Sequence, residues 1–312
     1  MKREWILVLL AVVLVISSCQ GGRNRENLNW RTGSQGVYMT FATNSPPPRV
    51  YDDEKLNVVI ELENRGATDI KGGSNRIYLS GFDPSIITGV STRGVIMPDM
   101  EGKDQYNPYG DIGTLSFDAN IRDLRSREID KYEPTLLLTG CYAYETISDP
   151  MVCIDSDPFS RTAVRKVCTP SNVGAGSQAA PVSVSSVEVE GSKGRTKFKI
   201  YVKNVGGGTV IKDGWSYLDK CNPYHGNGLE YTDLDYVRVV EVKLGNTNIK
   251  TSCKPLDGDM LRLKTATGSG TGYMYCEATG LSGPAYTTPL RIKLAYNYRE
   301  TLQKHITIYR TE

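Results

Sequence analysis

The sequence predicts an all-β protein: two tandem antiparallel β-sandwiches following an N-terminal export segment. Three observations carry that reading. A nine-residue strand pattern occurs twice, and a pattern with two tyrosines closes each half. The composition is the third: 19 Tyr, 31 Gly and 15 Pro in 312 residues, without long helical periodicity, is that of short strands and many turns.

In chain order, Lys2 and Arg3 precede an apolar run from Trp5 to Ile16, and Ser17-Ser18-Cys19 follows. A basic flank, a short apolar region and small residues before the cut make residues 1–18 a secretory signal peptide. The run is shorter than the roughly 20 residues that span a bilayer. Ile16-Ser17-Ser18-Cys19 resembles a lipobox, which makes Cys19 the acylated mature N-terminus. An uncleaved anchor and a soluble secreted form are the alternatives, and all three place the rest of the chain outside the cytoplasm. Residues 19–35 have little apolar surface and read as a flexible spacer above the membrane.

The first sandwich is assigned to residues 36–155. Val37–Phe41 is its first candidate strand, and Ser45-Pro46-Pro47-Pro48 after it is a rigid break that cannot donate to a ladder. Val58–Gly66 (VVIELENRG) alternates apolar and mostly charged residues and stops at Asn-x-Gly, where φ > 0 is tolerated. Ile77–Ser80 is a further strand, with one helical turn expected at Ser85–Ile87 and a long Gly- and Pro-rich loop over Met97–Gly113. Thr114–Ile121 alternates again, while the charged stretch Arg122–Glu133 fits a short helix or a loop. Leu136–Thr146, a polar turn and Met151–Ile154 read as a closing β-hairpin.

Residues 156–180 carry Asp157-Pro158, Thr169-Pro170 and Gly174–Ser177, which is linker chemistry. The second sandwich, 181–312, opens with Val182–Val189 and repeats the key pattern at Phe198–Gly206 (FKIYVKNVG). Asp213–Tyr231 is a long irregular insertion. Strands follow at Val237–Leu244, Asp259–Lys264 and Tyr273–Cys276, and the end reads as a second closing hairpin of Leu290–Thr301 with His305–Ile308.

The halves align. An offset of 154 places Tyr142 on Tyr296, Tyr144 on Tyr298, Val152 on Ile306 and Ile154 on Ile308, and an offset of 140 aligns the Asn-x-Gly strands. Two matches in the same order indicate a tandem repeat with about 14 extra residues in the second copy. About seven short strands per copy argue a sandwich like the immunoglobulin class. Each copy has a full strand set, so each is expected to fold as a separate fragment. On these residues the chain resembles the CARDB-type, immunoglobulin-like modules of prokaryotic, especially archaeal, cell-surface proteins. The resemblance spans roughly residues 36–155 and 180–312. It implies extracytoplasmic display and adhesion or binding, and supplies no catalytic residues.

Seven cysteines are present. With Cys19 assigned to lipid, six remain, which predicts three disulfides in an oxidising compartment. Cys141 and Cys153 fall opposite each other on the presumed hairpin and are expected to pair. Cys253 and Cys276 flank strands of the second copy and form the next pair. Cys168–Cys221 follows by elimination. A metal site built on these cysteines lacks any Cys-x-x-Cys, and the chain has two histidines.

Signs of catalysis are few. The full chain carries +2, and removing residues 1–18 leaves +1, so no basic surplus holds nucleic acid. Asp155/Asp157, Asp233/Asp235 and Asp257/Asp259 are carboxylate pairs without a complete Ca²⁺ loop and read as solvated turns. Gly206–Gly208 follows a strand but opens no helix, against a phosphate loop. No cofactor is expected. The candidate binding residues are Trp215, Tyr217, Tyr224, His225 and Tyr231 in the insertion, where aromatics can stack on a sugar or a protein partner. The expected function is a non-enzymatic binding or adhesion protein on the outer face of the cell membrane, held by its lipid, with an unknown protein or glycan ligand. A structural envelope spacer is the alternative, and an exported hydrolase a minor one.

Overall fold

A computed structural model describes residues 30–160, 166–266 and 269–312, the side chains of 264–269 excepted. The signal segment and Cys19 lie outside the described residues. The strands of the first half are β1 (Val37–Phe41), β2 (Arg49–Tyr51), β3 (Lys55–Asn64), β4 (Arg76–Ser80), β5 (Ile87–Thr88), β6 (Val95–Ile96), β7 (Ile112–Ile121), β8 (Lys131–Tyr132), β9 (Thr135–Ser148) and β10 (Met151–Ile154). Those that follow are β11 (Val173–Gly174), β12 (Val182–Ser192), β13 (Arg195–Asn204), β14 (Thr209–Ile211), β15 (Tyr236–Leu244), β16 (Thr247–Asn248), β17 (Met260–Arg262), β18 (Lys264–Ala266), β19 (Ser269–Thr279), β20 (Tyr286–His305) and β21 (Thr307–Tyr309). One five-residue helix, α1 (Trp215–Asp219), lies in the insertion. The charged stretch Arg122–Glu133 holds a 3-10 turn at Arg125–Arg127 followed by β8.

Four sheets result. A four-stranded one runs β1-β3-β7-β5, and a five-stranded one β11-β12-β13-β19-β18. A nine-stranded sheet is built on the path β16-β15-β20-β9-β4-β6, with β10 and β14 on β20 and β17 on β15; β2-β21-β8 forms the fourth. All pairs are antiparallel except β2 with β21. The alternation read from the sequence is the burial pattern. Leu56, Val58, Ile60 and Leu62 of β3 are buried, as are Phe198, Ile200 and Val202 of β13. Both sets belong to one apolar core that also takes in Leu136 and Leu138 of β9 and Leu290 to Leu294 of β20.

The expected closing hairpins do not form. β9 and β10 run along β20 in one register, from Thr135↔His305 through Ser148↔Ile292 to Met151↔Pro289 and Ile154↔Tyr286. Asp149-Pro150 bends the strand without reversing it, and the Pro150 carbonyl accepts from Leu290 N–H at 2.9 Å, so the ladder continues across the bend. At the other end β21 carries the same register onto β8 (Ile308↔Tyr132) and lies parallel to β2. The two halves of the chain therefore share a two-stranded ribbon, Lys131–Ile154 against Tyr286–Tyr309. The last strand of each repeat pairs with strands of the other.

The ribbon explains the repeated motifs. Tyr142, Tyr144, Tyr296 and Tyr298 face the core and are fully buried, with neighbouring rings 5.9 to 6.3 Å apart. Their hydroxyls satisfy backbone groups at equivalent places. Tyr142 Oη accepts from Val37 N–H and Tyr296 Oη from Val182 N–H, each at 3.1 Å, at the first residues of β1 and β12. Tyr144 Oη accepts from Thr68 N–H (3.3 Å) and Tyr298 Oη from Gly208 N–H (2.8 Å). The Asn of each Asn-x-Gly closes the same turn, Asn64 Nδ2 donating to Thr68 O and Asn204 Nδ2 to Gly208 O. Burial pushes the Tyr144 hydroxyl up to about 12 and that of Tyr142 well above its ordinary value, so these groups stay neutral.

Two of the three expected disulfides are corrected. Cys141 bonds Cys221 (Cα–Cα 6.2 Å) and Cys153 bonds Cys168 (5.9 Å). With β9 and β10 end to end, Cys141 and Cys153 are never opposite each other, so the Cys141–Cys153 bridge cannot form and the Cys168–Cys221 bridge falls with it. Cys153 is instead reached by the linker, where Lys166 Nζ also meets Asp155 Oδ2 at 2.6 Å. Cys253 bonds Cys276, the pair expected.

Candidate functional site

The insertion lies over the first repeat. Cys141 points away from the main core, on the outer face of the nine-stranded sheet, into a small buried cluster with Tyr78, Ile211, Leu218 and Cys221. The Cys141–Cys221 bond pins the insertion there. Two further bonds hold it on β4 and the β5–β6 connection: Tyr224 Oη donates to Leu79 O (2.6 Å), and Asn222 Nδ2 to Thr92 O (3.0 Å). Its root is held by Asn297 of the ribbon, whose Nδ2 donates to the carbonyls of Lys212 and Gly214 at 2.7 and 2.9 Å.

Between insertion and first repeat opens a cleft of about 360 Å³. It is lined by Gly73, Ser74, Arg76, Tyr78 and Arg93 on one side and Trp215, Asp219 and Asn222 on the other. Trp215 is 68% exposed. Arg76 donates to the Arg93 carbonyl at 3.2 Å. Among the described residues neither guanidinium meets a carboxylate at ion-pair distance. Asp219 is engaged from outside by His225 Nε2, 3.4 Å away. The Tyr78 ring is buried. Desolvation raises its hydroxyl, Arg76 pulling the other way and Asp219 adding to the rise.

The five residues singled out from the sequence separate in the structure. Trp215 lines the cleft. Tyr217 is packed against the Cys141–Cys221 cluster, with Lys212 and Lys220 each 5.7 Å from its ring. Tyr224 docks the insertion, and His225 braces Asp219 and the Asn227 turn. Tyr231 is exposed under Arg262, 4.8 Å from its ring, and does not line the cleft. Arg76, Tyr78 and Arg93 were missed. They belong to the first repeat, and only the Cys141–Cys221 pairing would have brought them to the insertion.

Other surfaces are occupied by their own side chains. On the five-stranded sheet, Lys199 sits over the rings of Tyr201, Tyr273 and Tyr275 at 4.8, 5.0 and 5.6 Å. Asp155 and Asp233, read from the sequence as solvated turn residues, are instead buried against Lys166 and Lys220, while the exposed Asp259 faces Lys250. Among the described residues no group of three or more His, Cys, Asp or Glu could hold a metal ion, and no helix is long and apolar enough to cross a membrane.

No protein-family model matches the chain, and no curated protein matches it. Among solved structures it is similar to the secreted serine protease VesC from Vibrio cholerae, at 9% identity and a TM-score of 0.21. The match covers 86% of this chain and 50% of that one, so the chain spans about half of that protein's length. A TM-score of that size carries no argument about fold or activity.

Proposed function

We propose that this chain is a non-enzymatic binding or adhesion protein displayed outside the cytoplasm and held at the membrane by an acylated Cys19. Three disulfides point to an extracytoplasmic location. The observation that carries the binding role is the cleft: a disulfide-pinned insertion holds an exposed Trp215 opposite two arginines that have no carboxylate partner among the described residues. Burial of a tryptophan would stabilise a domain. What supports a ligand here is the combination, an exposed indole face set in a cleft beside two arginines. In this reading the two repeats are immunoglobulin-like sandwiches of the CARDB type that have exchanged their last strands.

A spacer role is the second reading, supported by the continuous ribbon, which joins the two halves of the chain by backbone pairing. Saturable binding of labelled full-length protein to whole cells or isolated glycans, weakened by Trp215→Ala, separates the two. A spacer gives no saturable signal. The anchor is tested by Cys19→Ala, which should release the protein from membranes or leave it as precursor.

A further inference from the structure

The cleft's charge and shape select among ligands. Its volume of about 360 Å³ falls in the range of small-molecule sites. Its flat apolar area is essentially the Trp215 indole, matched to one face of a sugar ring. Beside it the lining carries the charged residues Arg76, Arg93 and Asp219, the last already engaged by His225. Two guanidiniums against one shared carboxylate leave the cleft positive, although the chain as a whole is nearly neutral. Arginine forks match planar or tetrahedral oxyanions and add little for a neutral sugar.

Building on the binding role above, we propose that the cleft takes an anionic saccharide, with the ring stacked on Trp215 and its carboxylate or sulfate held by Arg76 and Arg93. Arg76 is the better positioned of the two, being fixed by its bond to the Arg93 carbonyl. Asp219 is left to accept from a sugar hydroxyl.

Isothermal titration of the full-length protein in detergent micelles tests this, with trigalacturonate as the carboxylate probe, dextran sulfate as the sulfate probe and maltotriose as the neutral one. Expected are saturable binding of at least one anionic probe, none of maltotriose, and weakening when salt is raised. Arg76→Ala with Arg93→Ala should reduce affinity at least tenfold, as should Trp215→Ala, at unchanged melting temperature. Arg49→Ala, a charge removed far from the cleft, should leave it unchanged. Whichever anionic probe binds identifies the group that is read. Equal affinity for maltotriose, lost in Trp215→Ala, overturns the anionic assignment and leaves the binding role standing. Binding to whole cells without affinity for any of the three probes does the same and points to a protein ligand. Absence of binding to both probes and cells overturns the assignment and the binding role together.

Discussion

At Gly66 and Gly206 a tyrosine hydroxyl occupies the space a Cβ would fill. A Cβ on Gly66 would lie 1.7 Å from Tyr144 Oη, and one on Gly206 2.3 Å from Tyr298 Oη. Gly66→Ala should therefore cost about 1–3 kcal/mol by overpacking. Gly207→Ala, with nothing within 4 Å, should stay within roughly 0.5 kcal/mol. Chemical denaturation of both variants measures the difference. Glu300 makes a second residue-scale prediction. It is half-buried on the core-facing side of β20, has no hydrogen-bond or ion-pair partner among the described residues, and burial raises its carboxyl from 4.5 to about 7. The folded state thus holds this proton more tightly than the unfolded chain. Its contribution is fully present below about pH 4.5 and is lost as pH rises through 7. Glu300→Gln should melt with wild type at pH 4 and above it at pH 8, giving a flatter profile of melting temperature against pH. Coincident profiles at both pH values would contradict the assignment.

At the scale of elements, the strands were legible and their partners were not. β3 and β13 have one buried face, so the period of two survives in the sequence as apolar residues between charged ones. The same alternation in β9 and β20 says which face is buried but not which strand lies alongside. Asp149-Pro150 has the composition of a reversing turn. It acts here as a bend because Pro150 has no N–H that needs an acceptor and its carbonyl still accepts from Leu290 N–H, which completes the ladder. The mistaken hairpin then propagated into the cysteine pairing. It also hid the cleft, since Trp215 could be read as an exposed aromatic but its arginine partners lie more than a hundred residues away. Non-reducing peptide mapping should recover Cys141–Cys221, Cys153–Cys168 and Cys253–Cys276. A Cys141–Cys153 peptide would contradict the shared ribbon. Replacing Cys141 and Cys221 together by serine opens a loop of 80 residues and should cost up to about 4.5 kcal/mol. The same double variant should weaken ligand binding, because the insertion would lose its covalent tie to β9 and keep on the first half only the Tyr224 and Asn222 hydrogen bonds and the packing of Leu218 and Tyr217.

At the scale of the whole molecule, the sequence suggests a tandem repeat, yet its two halves are not two beads on a linker. The ribbon supplies β9 and β10 to the neighbours of β20, and β20 and β21 to the neighbours of β8 and β9. The apolar core runs without interruption from Val37 to Ile308. A fragment ending near residue 160 would lack the strand that pairs with all of β9, and a fragment starting near 178 would leave β20 with β14 and β15 but without β9 and β10. Contrary to what the sequence suggests, neither should fold alone. The fusion also serves the cleft, whose two walls come from different repeats and keep their spacing only if the repeats do not hinge. Native-state amide hydrogen exchange over a denaturant series tests this most directly. Amides of β3 in the first repeat, β13 in the second and the Tyr142–Tyr144 and Tyr296–Tyr298 segments should converge on one unfolding free energy. Separate free energies for β3 and β13, with the ribbon opening at a lower value than either, would contradict it.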